Sequence, residues 1–239
     1  MTMPSKKSMK KTKSLLLVAA SVALAGTALT ACDSEIKTEK SQYQVDEKVT
    51  SLRIKDYGGD IEVVTGGGSG ISVTEEFEYT DGKPRADHSV KSGELFLNAP
   101  GYENDDASKC AVNYTVEVPA GTAVNLETGG GDITVRGLSG DTAAKTGGGN
   151  VRIKESAAKT VDASTGGGDV DSSFTSAPDQ VKAESGGGDV TVRLPEGTYS
   201  VDAKTDGGNR DVGVTNTPSS AHEVKAHTGG GDVTVTTVG

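Results

Sequence analysis

The sequence predicts an all-β fold: a β-solenoid (β-helix-like) with coils of about 20 residues and an amino-terminal β cap. A motif of the form Thr-Gly-Gly-Gly-Asp recurs, with first-glycine positions at 129, 147, 166, 186, the equivalent 206 and 229, so that successive units are 18, 19, 20, 20 and 23 residues apart. Apolar and polar residues alternate on both sides of each turn, which is typical of half-buried strands. Repetition at this spacing indicates a stack of similar units.

Alignment on the turn places small apolar residues in columns with a period of two, which we expect to face a narrow core. Polar positions between them change sign from unit to unit, and each pair of opposite charges on neighbouring strands contributes about 0.2–1 kcal/mol to a register. We therefore expect the units to stack in parallel and in chain order. The columns before the turn are Val124, Thr142, Val161, Val181, Val201 and Val224, and Leu126, Ala144, Ala163, Ala183, Ala203 and Ala226. The first column after the turn is Ile133, Val151, Val170, Val190, Arg210 and Val233, and the charged column is Asp162, Lys182, Asp202 and Lys225.

The turn itself predicts a capped corner. Three consecutive glycines supply backbone conformations with positive φ at no steric cost, and the Asp or Asn that follows can accept hydrogen bonds from the N–H groups of the turn. Asn150 and Asn209 interrupt the acids, which leaves Asp169 and Asp189 as the only adjacent acidic pair of the regular coils. The predicted turn-capping column consists of Asp132, Asn150, Asp169, Asp189, Asn209 and Asp232.

The first 31 residues have the features of an export signal, a basic start followed by an apolar run over residues 15–29. The run is shorter than the ~20 residues of a membrane-spanning helix. Its ending, Leu29-Thr30-Ala31-Cys32, resembles the bacterial lipobox, and the resemblance implies cleavage before Cys32 and attachment of lipid (diacylglycerol, palmitate) to its sulfur. We therefore expect a lipoprotein anchored at Cys32 to the extracytoplasmic face of the cell membrane. An ordinary secretory signal that happens to end beside a cysteine is the alternative.

These features divide the chain into four parts. Residues 1–31 are the predicted lipoprotein signal peptide, and the polar residues 32–48 are the predicted tether. Residues 49–118 form the predicted amino-terminal β cap, which contains a divergent first coil at 52–63 and most of the aromatic residues, because large rings do not fit a coil lined with Ala. Residues 119–239 form the repeat β-solenoid. Cys110, in phase with the inward Val112, is predicted to be a buried, inert thiol.

A family resemblance rests on the start of the repeats. A strand that ends in Val118-Pro119-Ala120-Gly121 is followed by repeated Gly-Gly-Asp-(Ile/Val)-x-Val units. This pattern resembles the bacterial β-strand-repeat family labelled "putative adhesin", over residues 52–238. The resemblance implies a β-helix-like fold at the cell envelope, and it implies no particular biochemical activity.

Charge and motifs exclude several classes of function. Removal of residues 1–31 takes five Lys and no acid, so that 19 basic residues remain against 34 acidic ones and the net charge is about −15. Binding of nucleic acid needs clustered Lys and Arg, and the sequence has no such patch. The glycine triplets lack the Lys of a phosphate loop and precede strands. With three His and no metal-ligand spacing among them, we expect no metal site, no cofactor and no catalytic residue.

The expected function is therefore that of a membrane-anchored lipoprotein with a structural, adhesive or envelope-interaction role and no catalysis. Its partners would be the membrane, through the amino-terminal lipid, and a component of the cell wall or another protein. Two alternatives stay open. One is a polysaccharide-acting β-helix enzyme that uses Asp169, Asp171 and Asp189 as general acid and base. The other is a surface module that binds calcium weakly.

Overall fold

The computed structural model describes residues 36–68, 70–80, 82–101 and 110–238. In these ranges 20 strands form two ten-stranded sheets, and there is no helix long and apolar enough to cross a membrane. In hydrogen-bonded order, the first sheet contains β1 (Lys37–Val45), β4 (Ile71–Tyr79), β7 (Ala111–Val118), β3 (Ile61–Thr65), β9 (Ile133–Arg136), β11 (Val151–Ser156), β13 (Val170–Phe174), β15 (Val190–Leu194), β20 (Val233–Thr237) and β17 (Arg210–Val212). The second sheet contains β18 (Thr215–Asn216), β16 (Thr198–Thr205), β19 (Glu223–Thr228), β14 (Gln180–Ser185), β12 (Thr160–Thr165), β10 (Thr142–Thr146), β8 (Ala123–Thr128), β2 (Ser51–Asp56), β6 (Glu94–Ala99) and β5 (Asp87–Lys91).

Each glycine turn joins a strand of the second sheet to a strand of the first, so that every repeat forms one coil of two strands. The coils stack in parallel and in the register that the columns predict. Val161 pairs with Val181, and Ala163 pairs with Ala183. These four side chains are no more than 1% exposed, and their columns pack between the two sheets. The solenoid-like, all-β architecture expected from the repeats is therefore confirmed.

The expectation that the coils stack in chain order is wrong for the last two. The coil of residues 223–237, here called the inserted coil, lies between the coil of residues 180–194 and the coil of residues 198–212, here called the terminal coil. Val224 accordingly pairs with Val181 on one side and with Val201 on the other. The repeats are nearly equivalent, so that the hydrophobic pattern fits either order.

This exchange of position explains the one charged residue in an inward column. Arg210 belongs to β17, which is the last strand of the first sheet and pairs with β20 alone. Arg210 is exposed there, because no further coil covers it.

The glycine triplets are required by close approach between coils and not by positive φ. Among the described glycines, only Gly93, Gly101 and Gly137 have positive φ, and none of these belongs to a triplet. A Cβ on Gly147 would lie 2.2 Å from the carbonyl oxygen of Gly129 in the coil below, and the same overlap recurs at the first and third glycines of most turns. The turns therefore stack backbone on backbone, which only glycine permits.

The amino-terminal strands continue both sheets beyond the regular coils. In the divergent first coil, Leu52 pairs with Val124 and Ile61 pairs with Ile133, across a gap of about 70 residues in the sequence. Beyond it, β6 pairs with β2 and β7 with β3, both in parallel. Antiparallel strands then complete each sheet, β4 and β1 in the first and β5 in the second.

Two expectations about this region need correction. The polar stretch assigned to a tether contains β1, which pairs along its whole length with β4. β1 lies at the edge of its sheet and exposes most of its side chains, so its sequence carries little apolar alternation. Cys110 is only partly buried, and its Sγ lies 3.7 Å from the carbonyl oxygen of Gly82.

Large rings are not confined to the amino-terminal strands. Phe174 and Tyr199 are at most 2% exposed although they belong to Ala-lined coils. Both lie at the end of their coil opposite the glycine turn, and the hydroxyl of Tyr199 donates to the carbonyl oxygen of Pro195 at 2.9 Å. The narrow part of the core is thus the part beside the turns.

Candidate functional site

The Asp and Asn residues that follow the glycines form a continuous hydrogen-bonded ladder along one edge of the stack. We call Asp132, Asn150, Asp169, Asp189, Asp232 and Asn209, in spatial order, the Asx column. The Oδ1 atom of each accepts a hydrogen bond from the backbone N–H of the next, at 2.7 to 2.9 Å. Asp60 and Asn113 extend the ladder by two steps at the amino-terminal end. The column therefore joins coil to coil.

In most turns the Thr or Ser that precedes the glycines accepts the hydrogen bonds formed within the turn. Thr165 is typical: its hydroxyl accepts from the N–H groups of Gly167 and Gly168 and donates to the carbonyl oxygen of Gly149 at 2.7 Å. Sequence reasoning used this residue only to align the repeats. A hydroxyl at the same place in all six regular repeats was the available signal. The hydroxyl residues are Thr128, Thr146, Thr165, Ser185, Thr205 and Thr228.

The first coil replaces this hydroxyl by a carboxylate. Asp56 is 6% exposed, and its Oδ2 accepts hydrogen bonds from the N–H groups of Gly58 and Gly59. Burial raises the pKa of Asp56 to about 6, although the hydrogen bonds from the two glycines lower it. Asp56 is thus a buried carboxyl group with a raised pKa, and it holds a turn.

The inserted coil changes which members of the Asx column are neighbours. Asp189 lies between Asp169 and Asp232, so that three carboxylates follow one another where the sequence predicted a pair.

At Asp132, partial burial opposes ionisation. Hydrogen bonds from Asn150 and Arg152 outweigh that burial and hold the pKa of Asp132 below its usual value. The Arg152 guanidinium lies 2.6 Å from its Oδ2.

The acids of the enzymatic alternative do not converge on a cleft. Asp169 and Asp189 each have Oδ1 occupied by a backbone N–H of the ladder. Asp171 lies on the outer face of the first sheet and forms an ion pair with Arg193. Across the described ranges, no group of three or more His, Cys, Asp or Glu side chains is placed to hold a metal ion.

Charged side chains on the outer face of the second sheet form a network that crosses three coils. Lys182 Nζ lies 3.5 Å from Asp162 and 3.0 Å from Glu184, and Lys225 Nζ lies 2.7 Å from Glu184. The charged column therefore runs Asp162, Lys182, Lys225, Asp202 and does not alternate as predicted. Glu184 compensates for the two adjacent lysines: its hydrogen bond raises the pKa of Lys182, while the bond from Lys225 lowers the pKa of Glu184.

The same face has an open cavity of about 220 Å³ nearer the amino-terminal end. It forms where the small outward side chains Ala123 and Ala143 stand in neighbouring coils. Three acids, Glu94, Asp141 and Asp162, are at its rim. The cavity is thus a shallow apolar surface with an acidic border.

A polar cluster that is buried at Glu75 and Tyr114 lies within the amino-terminal strands. The hydroxyl of Tyr43 donates to Glu75 Oε1 at 2.9 Å, and the rings of Tyr43 and His88 stack with centroids 4.6 Å apart. Burial raises the pKa of Glu75. The hydroxyl of Tyr114, opposite Glu75 in the pairing of β7 with β4, is buried with no hydrogen-bond partner among the described residues. Sequence reasoning had placed the two tyrosines among the large rings of the amino-terminal cap and His88 in a loop.

Cys32, the predicted lipid attachment site, lies outside the described residues together with the predicted signal peptide.

The family and the fold of the chain follow from comparison with known proteins. No curated protein matches the chain. A crystal structure of a "putative cell adhesion protein" from Clostridium sporogenes matches with a TM-score of 0.52 at 16% identity, covering 84% of this chain and all (100%) of the other. A "putative adhesin" from Bacteroides fragilis matches with a TM-score of 0.44 at 13% identity, covering 86% of this chain and 98% of the other. At 16% identity, the likeness to the Clostridium sporogenes protein is one of fold alone. The Toastrack DUF4097 family model matches residues 8–238, and the chain belongs to this family.

Proposed function

We propose that the protein is a lipoprotein, anchored through Cys32 to the extracytoplasmic face of the cell membrane, with a structural or adhesive role in the envelope and no catalysis. The role is that of a stiff stack that presents its outer faces to a partner. The adhesive part of the proposal is supported by the likeness in fold to the Clostridium sporogenes protein. The anchor is supported by the lipobox-like sequence that ends at Cys32.

The observation that carries the proposal is the occupation of the acids. Two of the three carboxylates of the enzymatic alternative, Asp169 and Asp189, belong to the Asx column, and their Oδ1 atoms accept backbone N–H groups of the next coil. The third, Asp171, is paired with Arg193. A general acid or base has to reach a substrate proton with a free oxygen or nitrogen and usually lies in a cleft. These carboxylates instead join neighbouring coils along one edge of the stack, which suits a structural element.

The amino-terminal strands suit the role of a cap. A stack of coils exposes apolar side chains at each end unless a different element covers them. The antiparallel strands β1, β4 and β5 stand at that end, and the buried Phe77 and Tyr79 of β4 fill the space between the sheets. We assign the cap to these strands and to β6 and β7.

The outer face of the second sheet is the surface to which we assign the partner. Its cavity offers an apolar floor at Ala123 and Ala143 with an acidic rim. Such a surface suits a lysine or arginine side chain of a protein, or an amino group in the cell wall, because the aliphatic part can lie on Ala while the charge meets the acids. A nucleic acid is disfavoured by the same acids.

The proposal is tested by capture from cross-linked cell envelopes. Wild-type protein should retain a protein or cell-wall fragment that Ala143→Arg fails to retain, because the new side chain fills the cavity and repels a cation. Thr191→Arg, on the outer face of the first sheet, is the matched control and should behave like wild type. Equal capture by all three proteins would rule out this face as the contact. Hydrolysis of a polysaccharide by the wild type would refute the absence of catalysis.

A further inference from the structure

The inserted coil occupies a gap that the chain leaves open in its own stack. After β15 the chain does not continue on the adjacent edge: residues 198–212 form a coil one position further out. Residues 223–237 then fill the space between. In the described ranges neither strand of the terminal coil pairs with the coil of residues 180–194, and both pair with the inserted coil.

Both faces of the inserted coil make the contacts of an ordinary repeat. Towards the coil of residues 180–194, the N–H of Asp232 donates to Asp189 at 2.8 Å, and the hydroxyl of Thr228 donates to the carbonyl oxygen of Gly188 at 2.6 Å. Towards the terminal coil, Asp232 accepts from the N–H of Asn209 at 2.7 Å. The gap is therefore a slot with two hydrogen-bonding edges, shaped for a Val-x-Ala-x-Thr-Gly-Gly-Gly-Asp-Val unit.

A second copy of this chain carries a unit that fits the slot. We propose that two copies exchange their inserted coils, so that residues 223–237 of one copy fill the slot of the other. Each exchanged coil would make the same hydrogen bonds and bury the same Val224, Ala226, Val233 and Val235 as it does within one chain. Exchange of an identical element is a low-cost route to association, because it sacrifices no native contact.

The connection before the inserted coil can serve as the hinge. Residues 213–222 link β17 to β19, and most of them are exposed. Some of their hydrogen bonds are to the terminal coil, as from the N–H of Thr217 to the carbonyl oxygen of Tyr199 at 2.8 Å. Another contact is to the chain just before the coil of residues 180–194, where His222 Nδ1 lies 2.7 Å from the carbonyl oxygen of Pro178. In an exchanged pair this second contact would form with the other copy. β18 lies within this connection and pairs with β16, so that the residues after it, 217–222, are the ones that can change direction. Extended chain spans about 3.3 Å per residue, so that these six residues can carry the inserted coil about 20 Å, to the slot of an adjoining molecule.

Simple end-to-end stacking is blocked at the outer edge of the terminal coil. Asn216 Oδ1 accepts from the N–H of Val201 at 3.0 Å, and its Nδ2 donates to the carbonyl oxygen of Val201 at 3.4 Å. The side chain thus takes the place of a further strand at that point, a common protection of sheet edges. Arg210 adds a charge to the exposed end of the core. Copies are therefore joined through the slot and not through this edge.

Cysteine pairs across the slot test the exchange in the full chain. Lys182 and Lys225 are opposite one another on the outer face, on strands about 4.8 Å apart, a distance that a disulfide spans. One variant carries Lys182→Cys and another Lys225→Cys, both with Cys32→Ser and Cys110→Ser. The two are mixed, partly unfolded in urea, refolded and oxidised. The mixed disulfide dimer should increase about tenfold in yield relative to monomer for a tenfold rise in concentration at low occupancy.

Two controls make the outcome decisive. Mixed Asp162→Cys and Lys182→Cys chains pair equivalent positions of two interior coils, and should give little dimer, because those coils continue on both sides. A single chain with Lys182→Cys and Lys225→Cys, oxidised while folded and dilute before urea is added, should form the disulfide internally and stay monomeric, because the closed coil can no longer exchange. If that chain closes while the mixed variants give no more dimer than the interior control, exchange does not occur. If it fails to close, the slot itself is wrong and the proposal falls with it.

Discussion

The Oδ1 atom of Asp189 accepts a hydrogen bond of 2.8 Å from the backbone N–H of Asp232, 43 residues later in the chain. The bond exists because the inserted coil lies directly on the coil of residues 180–194. It also places Asp232 next to Asp189 and Asp169, so that three carboxylates line one stretch of the edge. Whether those acids join coils, bind a cation or act on a substrate can be separated by substitution.

The double change Asp169→Asn and Asp189→Asn should preserve the fold and change the free energy of unfolding by less than about 1 kcal/mol. An Asn Oδ1 accepts the same backbone N–H, as Asn150 does from Asp169 at 2.9 Å. Neighbouring carboxylates about 4.8 Å apart repel one another, so some repulsion is relieved. Asp189→Ala, which removes the acceptor, should cost about 1 kcal/mol. Urea denaturation of the wild type, the double Asn variant and Asp189→Ala measures these differences in the free energy of unfolding.

The same variants decide the calcium alternative. Thermal melts with millimolar calcium and with chelator should agree for the wild type, because one edge of spaced carboxylates supplies too few oxygens for the six to eight that calcium requires. A rise of many degrees with calcium that the double Asn variant abolishes would replace the ladder by a metal site as the role of these acids.

The glycines of one turn should differ sharply in their tolerance of a methyl group. A Cβ at Gly168 would lie 2.2 Å from the carbonyl oxygen of Gly149, whereas at Gly167 the nearest atom is 3.9 Å away. Gly168→Ala should therefore cost about 1–3 kcal/mol as the backbones are forced apart. Gly167→Ala should change stability by less than about 1 kcal/mol. Similar melting temperatures for the two variants would contradict the stacking of turn on turn.

Ala183 tests the width of the core. It is fully buried between Ala163 and Ala226 of the neighbouring coils. Ala183→Leu should overpack this space and lower stability by about 1–3 kcal/mol. Lys182→Gln, one residue away on the outer face, loses only exposed ion pairs and should cost less than about 1 kcal/mol. Equal losses would show that the two residues do not face opposite sides.

Asp56 should make stability depend on pH between about 4 and 6. Burial raises its folded pKa to about 6, above the ~3.9 of an unfolded chain. In that window folding takes up a proton, so the contribution of Asp56 to stability falls as pH rises and is constant above the window. Asp56→Asn still accepts from the turn but does not ionise. Relative to wild type, this variant should gain up to about 3 kcal/mol between pH 4 and pH 7.

The control for this prediction is Asp141→Asn at an exposed position. Its stability should follow that of the wild type across the same pH range. Parallel curves for wild type and Asp56→Asn, measured by urea denaturation at several pH values, would mean that Asp56 is ionised in the folded protein throughout.

The period-two columns predicted strand positions, register and inward faces well, because burial in a narrow two-sheet core forces that pattern. Val161, Ala163, Val181 and Ala183 are placed as predicted. Order along the stack could not be predicted, since Val224 offers the same side chain to Val181 as Val201 would have done. Because the repeats are nearly identical, their sequences determine which residues of two neighbouring coils pair. They do not determine which two coils are neighbours.

The turn chemistry was harder to predict for a related reason. A position can require glycine because its φ is positive or because another backbone approaches it closely. The sequence shows a glycine in both cases and so does not distinguish the two causes. At Gly147 the cause is the carbonyl oxygen of Gly129 in the next coil. β1 was not predicted as a strand because it lies at the edge of its sheet and exposes most of its side chains. Few of its residues are therefore apolar, apart from Val45 at its end.

The most direct test of the proposed function is fractionation of cells that express the Cys32→Ser variant. The wild type should be found in the membrane fraction, and the mass of its mature amino terminus should be that of a lipid-modified Cys32. Cys32→Ser should appear either in the soluble extracytoplasmic fraction or as an uncleaved precursor of larger size, because the thioether to the lipid cannot form. Cys110→Ser is the matched control and should behave as the wild type. A Cys32→Ser protein that remains in the membrane fraction at the mature size would contradict the lipid anchor and with it the proposed function.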